Sequence, residues 1–187
     1  PKQAAAARDA LAKALYGGLF DYLVKRVNES LHSDAAQTGS IGVLDIFGFE
    51  VFRYNSFEQL CINYANERLQ LFFDACVFGE ELRTYEREGV PFAHVQFEDN
   101  AKCVALFDGR PVNLFSLLDD ECQGGEGARD DRYGSKCATT FARKNVHFEA
   151  RGSDGAQFAV RHFAGAVVYE TQGFVAKNRD KLSTTLQ

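Results

Sequence analysis

The 187-residue sequence predicts a mostly helical α/β fold, long helices joined to a few strands. Three observations carry that expectation. Between Ala4 and Leu31, the residues Leu11, Leu15, Leu19, Leu23, Val27 and Leu31 recur every fourth position, as on one helical face. From Phe57 to Tyr85, apolar side chains return at steps of three, four and seven. Ile41, Gly42, Val43 and Leu44 instead form a short apolar run, and residues 156–170 alternate, which are the patterns of buried and half-buried strands.

The first helix would run about seven turns. Gly17 and Gly18 lie inside it, each costing about 1 kcal/mol against alanine, and predict a bend. Its role is packing. His32 to Ser40 is polar and reads as a surface loop.

Ile41 to Leu44 reads as a strand buried on both faces that delivers Asp45 at its carboxyl end. Ligands of open α/β sheets bind there. The spacing Asp45, Gly48, Glu50 then has a chemical sense. A carboxylate suits a magnesium ion or its water, because hard cations take oxygen ligands. A glycine lets a backbone N–H approach a phosphate with no Cβ in the way. Glu50 would pair with a base or orient a water. Together the three read as a γ-phosphate sensor, although acid-and-glycine turns also occur where the chain only reverses.

Asn55 and Ser56 precede Glu58 and Gln59 by three residues, so either can cap a helix in capping-box fashion. The periodic segment stops at Gly89, a good C′ residue, with Pro91 beyond it. Ser56 to Glu88 would be a rod of roughly 50 Å. A sensing loop joined to such a rod is a lever.

Further along, residues 92–97 suit a short strand, and Asp99 or Asn100 can cap a helix through Phe107. Gly109 to Pro111 make a turn before the apolar run Val112, Leu114, Phe115, Leu117 and Leu118. Asp130 to Thr140 reads as helix and Arg143 to Gly155 as a polar connector. Residues 156–170 form a bent pair of strands turning at Ala164 and Gly165.

Composition narrows the function classes. With 45% hydrophobic and 25% charged residues, the chain can bury one sizeable core or two small ones. No apolar run approaches the roughly 18 residues of a membrane span. A net charge of −5 argues against a nucleic-acid partner. Five cysteines without a Cys-x-x-Cys pair read as reduced thiols in a cytosolic protein, and the four histidines show no metal-ligand spacing. The start, Pro1-Lys2-Gln3 followed by alanines, is no signal peptide and reads as a cut inside a longer protein.

Leu44 to Phe52, followed by Asn55-Ser56-Phe57-Glu58-Gln59-Leu60-Cys61-Ile62-Asn63-Tyr64-Ala65-Asn66-Glu67, closely resembles switch II and the relay helix of the myosin motor domain. Arg8 to Tyr16 and Leu19 to Val24 resemble the helix that precedes switch II in that family. His162 to Leu182 resembles the segment entering its central twisted sheet.

The resemblance implies a fragment of a P-loop NTPase motor domain. Residues 1–32 would be the helix preceding switch II, 41–50 strand and switch II, and 55–89 the relay helix. Residues 90–155 would be a lower actin-binding subdomain, and 156–187 central-sheet strands with a following helix. It implies ATP and magnesium as ligands of the intact motor, with none bound tightly by this piece alone. Asp45 would act through water on magnesium, Gly48 would donate its N–H to the γ-phosphate, and Glu50 would pair with an arginine of switch I. Phe49, Asn63 and Phe92 would couple the loop to the converter. Val112, Leu114, Phe115 and Leu117 would face actin. Partners would be the actin filament and the rest of the motor, in the cytoplasm and on the cytoskeleton.

No Gly-x-x-x-x-Gly-Lys-[Ser/Thr] cradle occurs in the sequence; Gly134-Ser135-Lys136 has the end of that pattern without its start. Phosphoryl transfer depends on that cradle, its lysine and the metal together, so this chain by itself should not hydrolyse ATP. Two alternatives stand beside the motor reading, a stand-alone actin-binding module and a kinesin-like hydrolase. The run Asn55-Ser56-Phe57-Glu58-Gln59-Leu60 is unlike kinesins.

Overall fold

The computed structural model describes residues 2–32, 39, 41–91 and 100–179. They divide into two compact units, Pro1–Ile46 with Arg179–Gln187, and Phe47–Asn178.

The first unit contains helix α1 (Lys2–Leu31), which passes through Gly17 and Gly18 without interruption. Its apolar stripe is not buried: Leu15, Leu19, Leu23 and Leu31 are all exposed. No second helix or strand exists among the described residues of this unit, so no described element of the unit covers the stripe. Ile41 to Asp45 corrects another expectation. The segment has no strand pairing, Ile41 is 97% exposed and Asp45 is exposed. A strand exists only through its ladder to a neighbour, and no described residue supplies one here.

The second unit holds the core. Helix α2 (Phe57–Glu88) is continuous over 32 residues, as its periodicity predicted. Ser56 is its N-cap, and its N–H donates to Gln59 Oε1 at 3.0 Å. At the far end Gly89 adopts φ 68°, and the Val90 N–H reaches back to the Tyr85 carbonyl at 3.0 Å. That left-handed turn is one a side chain would strain, so glycine ends the helix. Residues 92–99, including Phe92 and the expected strand, lie outside the described residues.

Among the described residues four shorter α-helices follow: α3 (Ala101–Asp108), α4 (Leu114–Gln123), α5 (Asp130–Phe141) and α6 (Phe174–Asn178). Asn113 caps α4 by accepting from the Ser116 N–H at 2.8 Å. The expected connector over 143–155 contains a strand, β1 (Phe148–Arg151), too short for alternation to reveal. With β2 (Gln157–His162) and β3 (Gly165–Glu170) it makes an antiparallel sheet in the order β1-β2-β3. The register pairs Phe148 with Val160 and Phe158 with Tyr169.

One side of that sheet supports the core. Phe158 stacks on Phe148 at 5.5 Å, and Tyr133 of α5 meets both Phe158 and Phe174. Leu60, Phe107, Leu114 and Leu118 close the same cluster from α2, α3 and α4. The Gly134-Ser135-Lys136 sequence has a packing explanation. A Cβ on Gly134 would lie 1.9 Å from the Gly155 carbonyl oxygen, so the helix can approach that turn only without a side chain. Lys136 meanwhile ion-pairs with the buried Glu121 at 2.7 Å.

Candidate functional site

The loop leading into α2 is latched to the helix through one side chain. The Glu50 N–H donates to Asn63 Oδ1 at 2.8 Å, and Asn63 Nδ2 donates to the Glu50 carbonyl at 2.8 Å. Both backbone groups of Glu50 are thus held by one wholly buried amide. Gln59 Nε2 holds the Glu50 carboxylate at 3.2 Å, and Asn66 Nδ2 donates to the Phe47 carbonyl at 3.0 Å. Helical spacing explains the arrangement: Gln59, Asn63 and Asn66 fall on the turns of α2 that pass the loop. Phe49 anchors the loop from the other side, edge-on to His162 at 5.1 Å and Phe163 at 5.8 Å.

Asn55, the other residue that could have capped α2, instead ties the loop to the sheet. Its Oδ1 accepts from the Phe52 N–H at 2.8 Å, and its Nδ2 donates to the Val168 carbonyl at 3.0 Å. Its own carbonyl accepts from the Glu170 N–H at 2.8 Å, so the chain between loop and helix is stapled to β3.

A buried polar seam continues from the latch. Asn63 Nδ2 also donates to the Tyr169 hydroxyl at 2.9 Å, which lies 2.8 Å from His162 Nε2. His162 Nδ1 is 3.0 Å from Glu67 Oε1, and the Phe163 N–H donates to the same oxygen at 2.9 Å. Asn100, at the N-terminus of α3, donates to the Glu67 carbonyl at 2.9 Å and to its carboxylate. Burial alone would raise the Glu67 carboxyl, but the hydrogen bonds from His162, Phe163 and Asn100 outweigh it and hold the group below its ordinary value.

Glu67, Cys103 and His162 bring three ligand-type atoms within 4.8 Å of one another. Their chemistry is already satisfied. Burial pushes the Cys103 thiol far up, and its Sγ approaches the Arg161 carbonyl at 3.5 Å.

The sequence-predicted residues fare differently. Gly48 is exposed, and a Cβ there would meet no atom within 4 Å. Glu50, Phe49 and Asn63 come together as described. Asp45 lies in the first unit. Of the expected partner-facing residues, Val112 is 42% exposed, whereas Phe115 and Leu117 are half-buried against the core. Leu114 is wholly buried, because position N1 of α4 turns inward, and this withdraws it from any surface. The sequence points to Asn100 only as a cap for α3 and to Glu67, His162 and Tyr169 not as site residues, because polar residues at core positions break an apolar pattern. Glu67 does sit at helical spacing from Leu60 and Asn63, which is the signal that could have found it.

The whole chain, residues 1–187, matches the family described as myosin head (motor domain), and it belongs to that family. It is 46% identical over 186 residues to unconventional myosin heavy chain 6 of Caenorhabditis elegans, covering 99% of this chain and 9% of that protein. It is 48% identical to myosin-3 of Arabidopsis thaliana, covering 96% and 15%, and 44% identical to unconventional myosin-Va of Rattus norvegicus, covering 95% and 10%. The chain therefore spans only about a tenth to a seventh of the length of these relatives.

Proposed function

We propose that this chain is the nucleotide-sensing and relay portion of an ATP-driven, actin-based motor. The observation that carries the reading is the latch: the backbone of Glu50, two residues past an exposed glycine, is gripped on both sides by Asn63 of a 32-residue helix. Any displacement of the loop that follows a phosphate must move the root of that helix or break two hydrogen bonds. The loop is thus a sensor and α2 its lever.

Gly48 fits a phosphate contact because nothing among the described residues requires its small size. Glu50, with its backbone fixed, keeps a half-buried carboxylate that can pair with a base or orient a water. Asp45 offers an exposed carboxylate of the oxygen-donor kind that magnesium or its bound water takes. That ion, when bound, would neutralise phosphate charge. Coupling passes through Phe49 and Asn63, with Phe92 proposed for the far end of the helix. Val112, flanked by Phe115 and Leu117, is the proposed actin-facing apolar site. ATP hydrolysis belongs to the whole motor, since the sequence contains no phosphate cradle.

Gly48→Ala in the full-length motor tests the reading. Because the new methyl meets none of the described residues, folding and ATP binding should stay within about twofold, while ATP cleavage in a single turnover falls by about 100-fold or more. Unchanged cleavage would remove Gly48 from the site.

A further inference from the structure

We propose that Tyr169, His162 and Glu67 are positioning residues, a buried relay that ties the Glu50 loop to the β2–β3 hairpin and, through Asn100, to the start of α3. The proposal deepens the nucleotide-sensing reading of that loop and rests on it. It gives the loop a second mechanical output besides the long helix.

The protons available to the seam fix its direction. Asn63 Nδ2 carries two, one given to the Glu50 carbonyl and one to the Tyr169 oxygen. The Tyr169 hydroxyl, already accepting, has one proton to give, and His162 Nε2 stands 2.8 Å away. That nitrogen must therefore be unprotonated, which leaves the imidazole proton on Nδ1, facing Glu67 Oε1 at 3.0 Å. Glu67, held ionised, only accepts: from His162, from the Phe163 N–H and from Asn100. Every link has one donor and one acceptor, and the order runs one way from the Glu50 carbonyl to the Glu67 carboxylate. A second proton on His162 would set two donors against the Tyr169 oxygen and strand its hydroxyl proton. The side chains of Asn63, His162 and Glu67 are buried, as is Tyr169, so water cannot replace a broken link cheaply.

The relay also joins elements that are distant in sequence. Glu50 and Asn63 belong to the loop and α2, His162 and Tyr169 to β2 and β3, and Asn100 to the N-cap of α3. A shift of the loop is therefore felt by the hairpin and by α3 as well as along α2.

Tyr169→Phe in the full-length motor removes one oxygen from the middle of the relay. Hydrogen exchange at the Glu50 amide should then quicken by about tenfold, with a similar slowing of ATP cleavage and ATP affinity within about twofold. Val167→Ala, which opens a cavity in the same strand without touching the relay, serves as the control for general destabilisation. Glu50 exchange and ATP cleavage both unchanged in Tyr169→Phe, or both effects reproduced by Val167→Ala, would overturn the proposal. Should Tyr169→Phe not fold, Glu67→Gln puts an amide against Asn100 and asks the same question. Faster Glu50 exchange by about threefold is expected there, and unaltered exchange would overturn the proposal. The exchange measurement needs no ATP, so it decides the relay even where Gly48→Ala shows the nucleotide-sensing reading to be mistaken.

Discussion

The two halves of α2 share one helix and one period, yet they live in different surroundings. From Phe57 to Asp74 the helix buries Leu60, Asn63, Glu67 and Asp74, at steps of three, four and seven. From Ala75 to Glu88 no residue is fully buried, and Val77 and Tyr85 are 39% and 38% exposed. The inner half is fastened by polar atoms and the outer half presents apolar ones. The polar fastening adds to the apolar one that Phe57, Leu60 and Tyr64 of the inner half make with the core. The reason is directional: a hydrogen bond fixes distance and angle, which a loop that must be held in register needs, whereas apolar contact tolerates sliding.

Breaking the inner half should give the largest effect. Glu67→Ala leaves His162 Nδ1, the Phe163 N–H and an Asn100 proton without an acceptor in a buried space, and should cost about 4 kcal/mol. Urea denaturation measures it; a loss below about 1 kcal/mol would mean that the seam is not what fastens the helix.

An intermediate effect comes from acid, and it extends the same logic to the α4–α5 joint. Burial would raise Glu121, but Arg132, Lys136 and the Arg129 N–H hold its carboxyl down at about 2, against an ordinary 4.5. A depressed acid stabilises fully above its unfolded value and loses that contribution as the pH falls toward its folded value. Stability should therefore decline between 4.5 and about 2 by on the order of 1–3 kcal/mol, and Glu121→Gln should flatten that part of the profile. Equal slopes in the two proteins, by denaturation at stepped pH, would deny the joint its charge.

The smallest effect belongs to the outer half. Val77→Ser removes an apolar side chain that is 39% exposed, so the stability of this chain should change by no more than about 0.5 kcal/mol. A larger loss would show that the outer half is attached after all, and the contrast between the halves would collapse.

Much of this was legible in the residues. The three-four-seven spacing marked α2 from end to end, Gly89 marked its stop, and alternation marked the β2–β3 hairpin. The family resemblance points to Glu50, Phe49 and Asn63; Asn63 holds the Glu50 backbone, and Phe49 lies edge-on to His162. Misreadings arose where a pattern depends on its neighbours. The apolar run Ile41–Leu44 promised a buried strand, but lacks a ladder among the described residues. The stripe on α1 promised packing, but finds no described element of its unit to cover it. Leu114 was assigned to a surface and lies in the core, because a run of leucines does not say which of them face inward.

The sequence by itself determined what is local: where helices start and stop, which residues share a face, and which short loop carries the acid, the glycine and the glutamate. Periodicity and capping act between residues a few positions apart, so they can be read along the chain. Only the tertiary structure decided that Asn63, Tyr169, His162, Glu67 and Asn100 form one hydrogen-bonded line. Those side chains come from α2, two strands and the head of α3, and hydrogen bonding requires contact within about 3 Å, which sequence spacing does not encode over a hundred residues.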